Sequence, residues 1–520
     1  MMRRSRWMLA AAFFCGALAV SPATNAGLFG SGGGYPSNGR AIDQLKPASD
    51  YGDLLKGRPL ALGIMRTRAQ GFVPSTTLHE YVRGVMLRLL RGVAMPASFD
   101  PEVHILAAPE FAGECTPDGT LIITAGLLEQ LETEDELAFV IGHELSHAVY
   151  RHQTPNWYKK AQLYAVINGS AIDEIAESAA IGGKFGTDAN VGRALDVAEH
   201  LEKLSSDVLM PQMERGQEDQ ADALGFDLMV KAGYDPDSAL AVMDKLAQQE
   251  AEAAQAAAAA KRAADNGDQK RSAGNVLGGI ASMGNSLLTG GGISRDQIAD
   301  MSIAVFDLGI DAMADDATAH HPATERADLI SAYEFRAYRD IRPAEPTPLP
   351  WSAASHSPLK AELTALMTHY TMAEDVAAYV ADSSQGSAAA VVTDISRSTS
   401  KPTHDHAYTE FVASEYYSNV GQTKQSEAAL VEAVNGPEPS WAVYSRLIDF
   451  YAHEQKFAQA QSAMDQAVAR FGDSPVLYPE RIALYREEGR QSDADALVPK
   501  CKAFDIDSLT DGCKKAAEGS

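Results

Sequence analysis

Positive charge is in short supply in this chain. Lysine and arginine number 44 against 70 aspartates and glutamates, a formal net charge of −26 over 520 residues. A phosphate backbone selects for positive surface, so nucleic acid is disfavoured as the main partner. Long apolar runs are lacking too. After residue 26 no segment reaches the about 18 uncharged apolar residues that a spanning helix needs. An integral membrane protein is therefore not expected, and membrane contact is expected to be peripheral at most. What remains is ordinary globular composition, 45% apolar and 22% charged, which argues against wholesale disorder. The length suggests roughly three domains.

Cysteine is rare, with four in the chain. Cys15 falls in an amino-terminal stretch that reads as a secretory signal peptide, residues 1–26. Arg3, Arg4 and Arg6 form a positive head, Trp7 to Val20 is apolar, and Thr24-Asn25-Ala26 offers a small-residue cleavage site. Phe14 stands where a lipoprotein signal needs a small residue. Export is the resulting expectation. An oxidising compartment permits a disulfide between Cys501 and Cys513; two free thiols are the alternative. Nothing near Cys115 suggests an activated thiolate.

Residues 27–69 read as a Gly/Ser-rich leader and amino-terminal segment. From about Leu78 the pattern turns helical, with Leu78, Val82, Val85, Met86, Leu89 and Leu90 on one side. Val103–Ala107 and Thr120–Thr124 read as strands, the second after a Thr116-Pro117-Asp118-Gly119 turn. Thr133 with Glu136 three residues on is a capping box that opens a helix. A further helix is expected from about Met213 to Lys231, stopped at Gly233. Residues 251–292 look like an insertion, alanine-rich first and glycine-bearing from 274. The proline-rich run at 342–355 is the best boundary in the chain, and the region before it is expected to fold alone.

Beyond that boundary, residues 356–505 carry a repeat. Tyr417, Tyr451 and Tyr485 are spaced by 34 residues, and Gly421 and Gly489 sit two such periods apart with Gln455 between them. Ala429, Leu430, Ala433 and Val434 recur as Ala463, Met464, Ala467 and Val468. A period of 34 with alanine at packing positions resembles tetratricopeptide helix pairs; a plain helical domain is the alternative. Residues 506–520 are left as a tail.

The sharpest chemical feature is His143-Glu144-Leu145-Ser146-His147. Positions i and i+4 share one helix face, so both imidazoles can bind one metal ion. Glu144, about 100° round the helix, can take the proton of an attacking water without itself being a ligand. Catalytic zinc needs a third protein ligand, and Glu218 in EDQAD could complete a His₂Glu set. Asp222, one turn on, could orient a ligand histidine through its other ring nitrogen. Spacing alone leaves the bland readings open: a charged helix face at 143–147, and a solvated acidic pair at 218 and 222.

The stretch TLIITAGLLEQLETEDELAFVIGHELSHAVYRH resembles the core of HtpX-like and CAAX-prenyl-type gluzincin peptidases. ERGQEDQAD is similar to a second family block, SRxxExxAD, with Glu214 replacing its serine. His321-Pro322-Ala323-Thr324-Glu325-Arg326 matches a third, HPxTxxR. The three blocks span most of residues 70–341. Phe111 to Cys115 departs from the family's asparagine-alanine pair, which puts recognition of a substrate strand in doubt.

The resemblance implies a mainly α protease domain with a small β-sheet, followed by an all-α solenoid. It implies one zinc ion per chain on His143, His147 and Glu218, with Glu144 as the base and Asp222 behind a histidine. His321 matches a position near the metal in some periplasmic relatives, where it gates the open site; a loop histidine is the alternative. Relatives with this layout degrade misfolded or stalled outer-membrane proteins and can assist their assembly. The implied function is a periplasmic zinc metalloendopeptidase in outer-membrane quality control, with unfolded barrel proteins and the barrel assembly machinery as partners and the outer membrane nearby. The competing reading is a chaperone-like binding module whose zinc site is latched or vestigial.

Overall fold

The computed structural model describes residues 34–47, 50–52, 71–108, 111–116, 118–152, 215–266, 321–342, 344–352, 357–381, 386–472, 477–503 and 507–518. The signal-like segment 1–26 and the glycine-bearing stretch 274–292 lie outside them.

Described helices greatly outnumber strands, and the described residues are mainly helical with one small sheet. A short α1 (Ala41–Gln44) comes first, and α2 (Thr76–Leu89) buries Leu78, Val82, Val85, Met86 and Leu89, as the periodicity predicts. The side chain of Ser75 caps α2 by accepting the Leu78 N–H. Strands β1 (Glu102–Leu106), β2 (Gly113–Cys115) and β3 (Thr120–Thr124) form a sheet in the order β1-β3-β2. β1 runs parallel to β3, with Val103 opposite Leu121, whereas β2 is antiparallel to it. The expected turn before β3 forms. Gly119 takes a positive φ of 89°, and the buried Asp118 carboxylate accepts both the Thr116 and Thr120 hydroxyls.

Two helices follow, α3 (Ala125–Gln130) and α4 (Glu134–Tyr150). The capping box at the start of α4 is complete: Glu136 N–H donates to Thr133 Oγ1, and the Glu136 carboxylate accepts from the Thr133 N–H. Glu134 sits in the first turn, where the helix dipole favours an anion. It accepts hydrogen bonds from Tyr81, Arg88 and Tyr234. Burial, with the Glu134 charge added, pushes the Tyr81 and Tyr234 phenols well above the usual tyrosine range. Leu137, Ala138, Phe139, Ile141, Leu145 and Ala148 are all essentially inaccessible, so apolar packing wraps α4 on most sides.

The chain continues in α5 (Arg215–Lys231), α6 (Asp237–Asn266) and α7 (Ala323–Ala337). α5 ends before Gly233, which has φ 89°. Contacts divide the chain into two units: Met1–Ser37, Gln212–Gln220 and Ala239–Asp340 form one, and Asn38–Pro211, Ala221–Ser238 and Ile341–Ser520 form the other. In the first, Glu250 of α6 caps α7 by accepting the Ala323 N–H.

The second unit contains the sheet, α4 and the carboxy-terminal helices. These are α8 (Pro358–Ala381), α9 (Ala388–Ser398), α10 (Ala407–Asn419), α11 (Thr423–Asn435), α12 (Trp441–His453), α13 (Phe457–Phe471), α14 (Tyr478–Glu487), α15 (Gln491–Ala503) and α16 (Asp507–Glu518). They pack largely as successive hairpins, and a Cys501–Cys513 disulfide ties α15 to α16. The 34-residue period has a backbone cause. Gly421, Gln455 and Gly489 all adopt left-handed conformations, with φ 73°, 56° and 76°. In each case the next N–H returns to a tyrosine carbonyl: Gln422 to Tyr417, Lys456 to Tyr451 and Arg490 to Tyr485. These are Schellman closures at equivalent helix ends.

The proline-rich run is not a loose tether over its described length. Thr347 N–H donates to Asp135, Glu134 N–H donates to the Thr347 carbonyl, and Leu349 N–H donates to the Glu132 carbonyl. Leu349 and Trp351 are buried, and the Trp351 indole N–H donates to the Leu128 carbonyl. The segment thus satisfies an otherwise orphaned N–H in the first turn of α4. One apolar cluster also joins Phe72, Leu106, Ala108 and Ile122, around the sheet, to Leu430, Trp441, Tyr444 and Leu447 of the carboxy-terminal helices. That shared core runs against the expectation that the region before residue 342 folds alone.

Candidate metal centre

Helices α4 and α5 cross where both have glycine. A Cβ on Gly142 would lie 2.9 Å from the Gly225 carbonyl oxygen, and one on Gly225 would lie 2.6 Å from the His143 nitrogen. Those are backbone atoms that cannot step aside, so only a pair of glycines lets the helices approach this closely. The crossing lies one residue before His143. It brings Asp222 to His143, with Asp222 Oδ1 2.9 Å from His143 Nδ1. Asp222 is fully buried, so the carboxylate has little freedom and fixes the imidazole's orientation.

His143 and His147 are one turn apart on α4, and their Nε2 atoms approach to 3.2 Å. At His147 the other ring nitrogen is also engaged, with Nδ1 3.1 Å from His152 Nδ1. Each imidazole is therefore held through Nδ1 and presents Nε2 to a shared point. His143, His147 and Glu218 each offer one ligand atom, all within 4.8 Å of one another. Two imidazoles and a carboxylate, converging and largely buried, suit zinc with one coordination position left open. Two ring nitrogens facing each other fit a cation between them better than they fit each other.

Glu144 follows His143 on α4 and is half-buried. Strand β2 passes beside it: a Cβ on Gly113 would lie 3.6 Å from Glu144 Cγ and 3.7 Å from its Oε1. Among the described strands β2 lies at the sheet edge, so the candidate base and an edge strand are neighbours.

His321 is not a member of the three-residue donor group. Its Nδ1 lies 3.0 Å from Glu325 Oε1 and its Nε2 3.9 Å from Asp219 Oδ1. Arg326, from the same block, places Nη1 3.6 Å from Glu218 Oε2, with both side chains mostly buried. Motif spacing gives neither Arg326 nor His152 a task, and no local signal in the sequence reports the glycine crossing.

Residues 77–332 match the sequence profile of Peptidase family M48. The chain is also similar to the protein named Mitochondrial metalloendopeptidase OMA1 of Arabidopsis thaliana. The two are 29% identical over 150 residues, which cover 28% of this chain and 25% of that protein. The protein of the same name from Schizosaccharomyces pombe is 29% identical over 173 residues, 33% of this chain and 44% of its own length. The chain thus spans less than half the length of either curated relative. The region that matches Peptidase family M48 contains the whole His143, His147 and Glu218 donor set.

Proposed function

We propose that this protein is a zinc-dependent metalloendopeptidase, with one zinc ion held by His143, His147 and Glu218. The observation that carries the reading is the convergence of two Nδ1-anchored imidazoles on one point with a buried carboxylate. Zinc, when bound, supplies a Lewis acid that makes a water nucleophilic near neutral pH. Glu144 accepts the proton of the attacking water and delivers it to the leaving amine. Asp222 keeps His143 oriented throughout, and Arg326 offsets the Glu218 charge from the side. An extended substrate lying beside β2 would be held mainly through backbone hydrogen bonds next to Glu144, with little demand on side-chain identity.

The finer reading places the enzyme in the periplasm, acting on misfolded or stalled outer-membrane proteins beside the barrel assembly machinery. Three features support it: the charged and apolar pattern of residues 3–26, the Cys501–Cys513 disulfide, and the paired carboxy-terminal helices that suit a docking surface. His321 is proposed as a gating residue on its match to the HPxTxxR block.

Glu144→Gln tests both levels. The variant should retain zinc and lose at least about a hundredfold in hydrolysis of an unfolded peptide, the usual worth of a positioned base. Undiminished turnover would sink the mechanism. The same variant, used as a substrate trap in cells, should enrich outer-membrane proteins, and a trap holding only cytosolic proteins would remove the envelope role.

A further inference from the structure

Helix α4 ends at Tyr150, and the next residue does something unusual. Arg151 adopts φ 57°, ψ 45°, a left-handed conformation that a side chain bearing a Cβ disfavours. Glycine is the ordinary choice there. The closure is otherwise regular: Arg151 N–H donates to the Ala148 carbonyl and His152 N–H donates to the His147 carbonyl, both at 3.0 Å. Tyr51 braces it. The Arg151 guanidinium lies 5.7 Å over the Tyr51 ring, and the Tyr51 hydroxyl donates to the Val149 carbonyl at 2.9 Å. Tyr51 itself is buried.

The consequence of this turn is a place for one ring. The chain reverses, and His152 folds back along the last turn of α4. Its ring stacks on Tyr150, with centroids 5.3 Å apart and planes 18° apart. Its Nδ1 comes within 3.1 Å of His147 Nδ1. The two rings meet edge-on at 76°, the arrangement for an in-plane hydrogen bond from one to the other rather than a stack. Backbone strain at a helix end, braced by a buried aromatic and spent on setting one imidazole, marks a functional site more than a packing need.

We infer that His152 is a positioning residue for the metal centre: its Nδ1 accepts the Nδ1–H of His147 and so fixes the tautomer whose Nε2 lone pair faces the zinc. His152 does for His147 what Asp222 does for His143. The two supports differ in kind, a buried carboxylate on one ring and a neutral imidazole on the other, so the two ligands are unequal donors. The inference rests on the reading that His143, His147 and Glu218 hold zinc.

The test uses the full-length chain as wild type, His152→Ala and His152→Asn. Asparagine can place a carbonyl oxygen near the site of the lost Nδ1. Zinc affinity is measured by competition with a chromogenic chelator, and ligand geometry by the visible absorption of the cobalt-substituted protein. His152→Ala should bind zinc about 10–100-fold more weakly, the usual cost of removing such a support, and should shift the cobalt bands. His152→Asn should recover most of the affinity. Thermal melting of the three proteins without metal should coincide. Zinc affinity unchanged in His152→Ala, no recovery in His152→Asn, or a metal-free melting point that falls in step with affinity would each overturn the inference. A wild-type chain that binds no zinc would instead overturn the reading beneath it.

Discussion

His143 and His147 share a face because any α-helix brings i and i+4 together. Glu136 declares the start of that helix through its spacing from Thr133. His152 could not be read in the same way, because its ring reaches His147 only if a non-glycine residue takes a left-handed conformation. Gln455 makes the same point in the repeat. It stands where Gly421 and Gly489 stand and takes the same positive φ, and it is exposed. The position therefore carries strain with no packing to offset it. Gln455→Gly should stabilise the protein by about 1 kcal/mol, and Gly421→Ala should destabilise it by a similar amount. Urea denaturation midpoints measure both, and a Gln455→Gly protein less stable than the parent would refute the account.

Among elements, long periodic helices and the two five-residue strands followed the pattern of apolar residues. Strand β2 did not. Gly113-Glu114-Cys115 has neither length nor strand propensity, and it is extended because β3 offers it partners, Gly113 opposite Ile123 and Cys115 opposite Leu121. The crossing of α4 and α5 was equally hidden, since a glycine inside a helical pattern usually signals weakness rather than contact. Here the pair Gly142 and Gly225 sets how near Asp222 comes to His143. A methyl group on Gly225 would meet backbone at 2.6 Å, so the helices must separate. Gly225→Ala should therefore cost about 1–3 kcal/mol, as overpacking does, and weaken zinc binding at least about tenfold by carrying Asp222 away. Ala223→Gly, on the same helix, controls for helix propensity. Zinc affinity and melting point both at the parent value in Gly225→Ala would show that the crossing tolerates more space than its geometry indicates.

For the molecule as a whole, sequence composition suggested a boundary where the structure has an attachment. Proline makes residues 342–350 look like a spacer, yet proline is also at home in an extended strand that gives its carbonyls to a neighbour. Thr347 and Leu349 pair with the start of α4 in this way, a long-range pairing that no local signal reports. The same holds for the core. Leu106 and Ile122 read as ordinary members of a small sheet, but with Phe72 they belong to one apolar cluster that includes Leu430, Trp441 and Tyr444 of the carboxy-terminal helices. A chain ending at Arg342 would lose the carboxy-terminal members of this cluster and strip the pairing from the first turn of α4. Each large apolar side chain that becomes fully exposed costs about 1.5–3 kcal/mol, so exposing a few of them consumes much of the about 5–15 kcal/mol that keeps a typical domain folded. The truncated chain should accordingly be insoluble or fail to hydrolyse even a short unfolded peptide, and the loss should precede any question of client docking. Soluble expression, zinc content and peptide turnover of the truncation decide the matter. A soluble fragment with the parent's zinc content and turnover would mean that the carboxy-terminal helices merely rest on the sheet, and that the peptidase fold carries its own core.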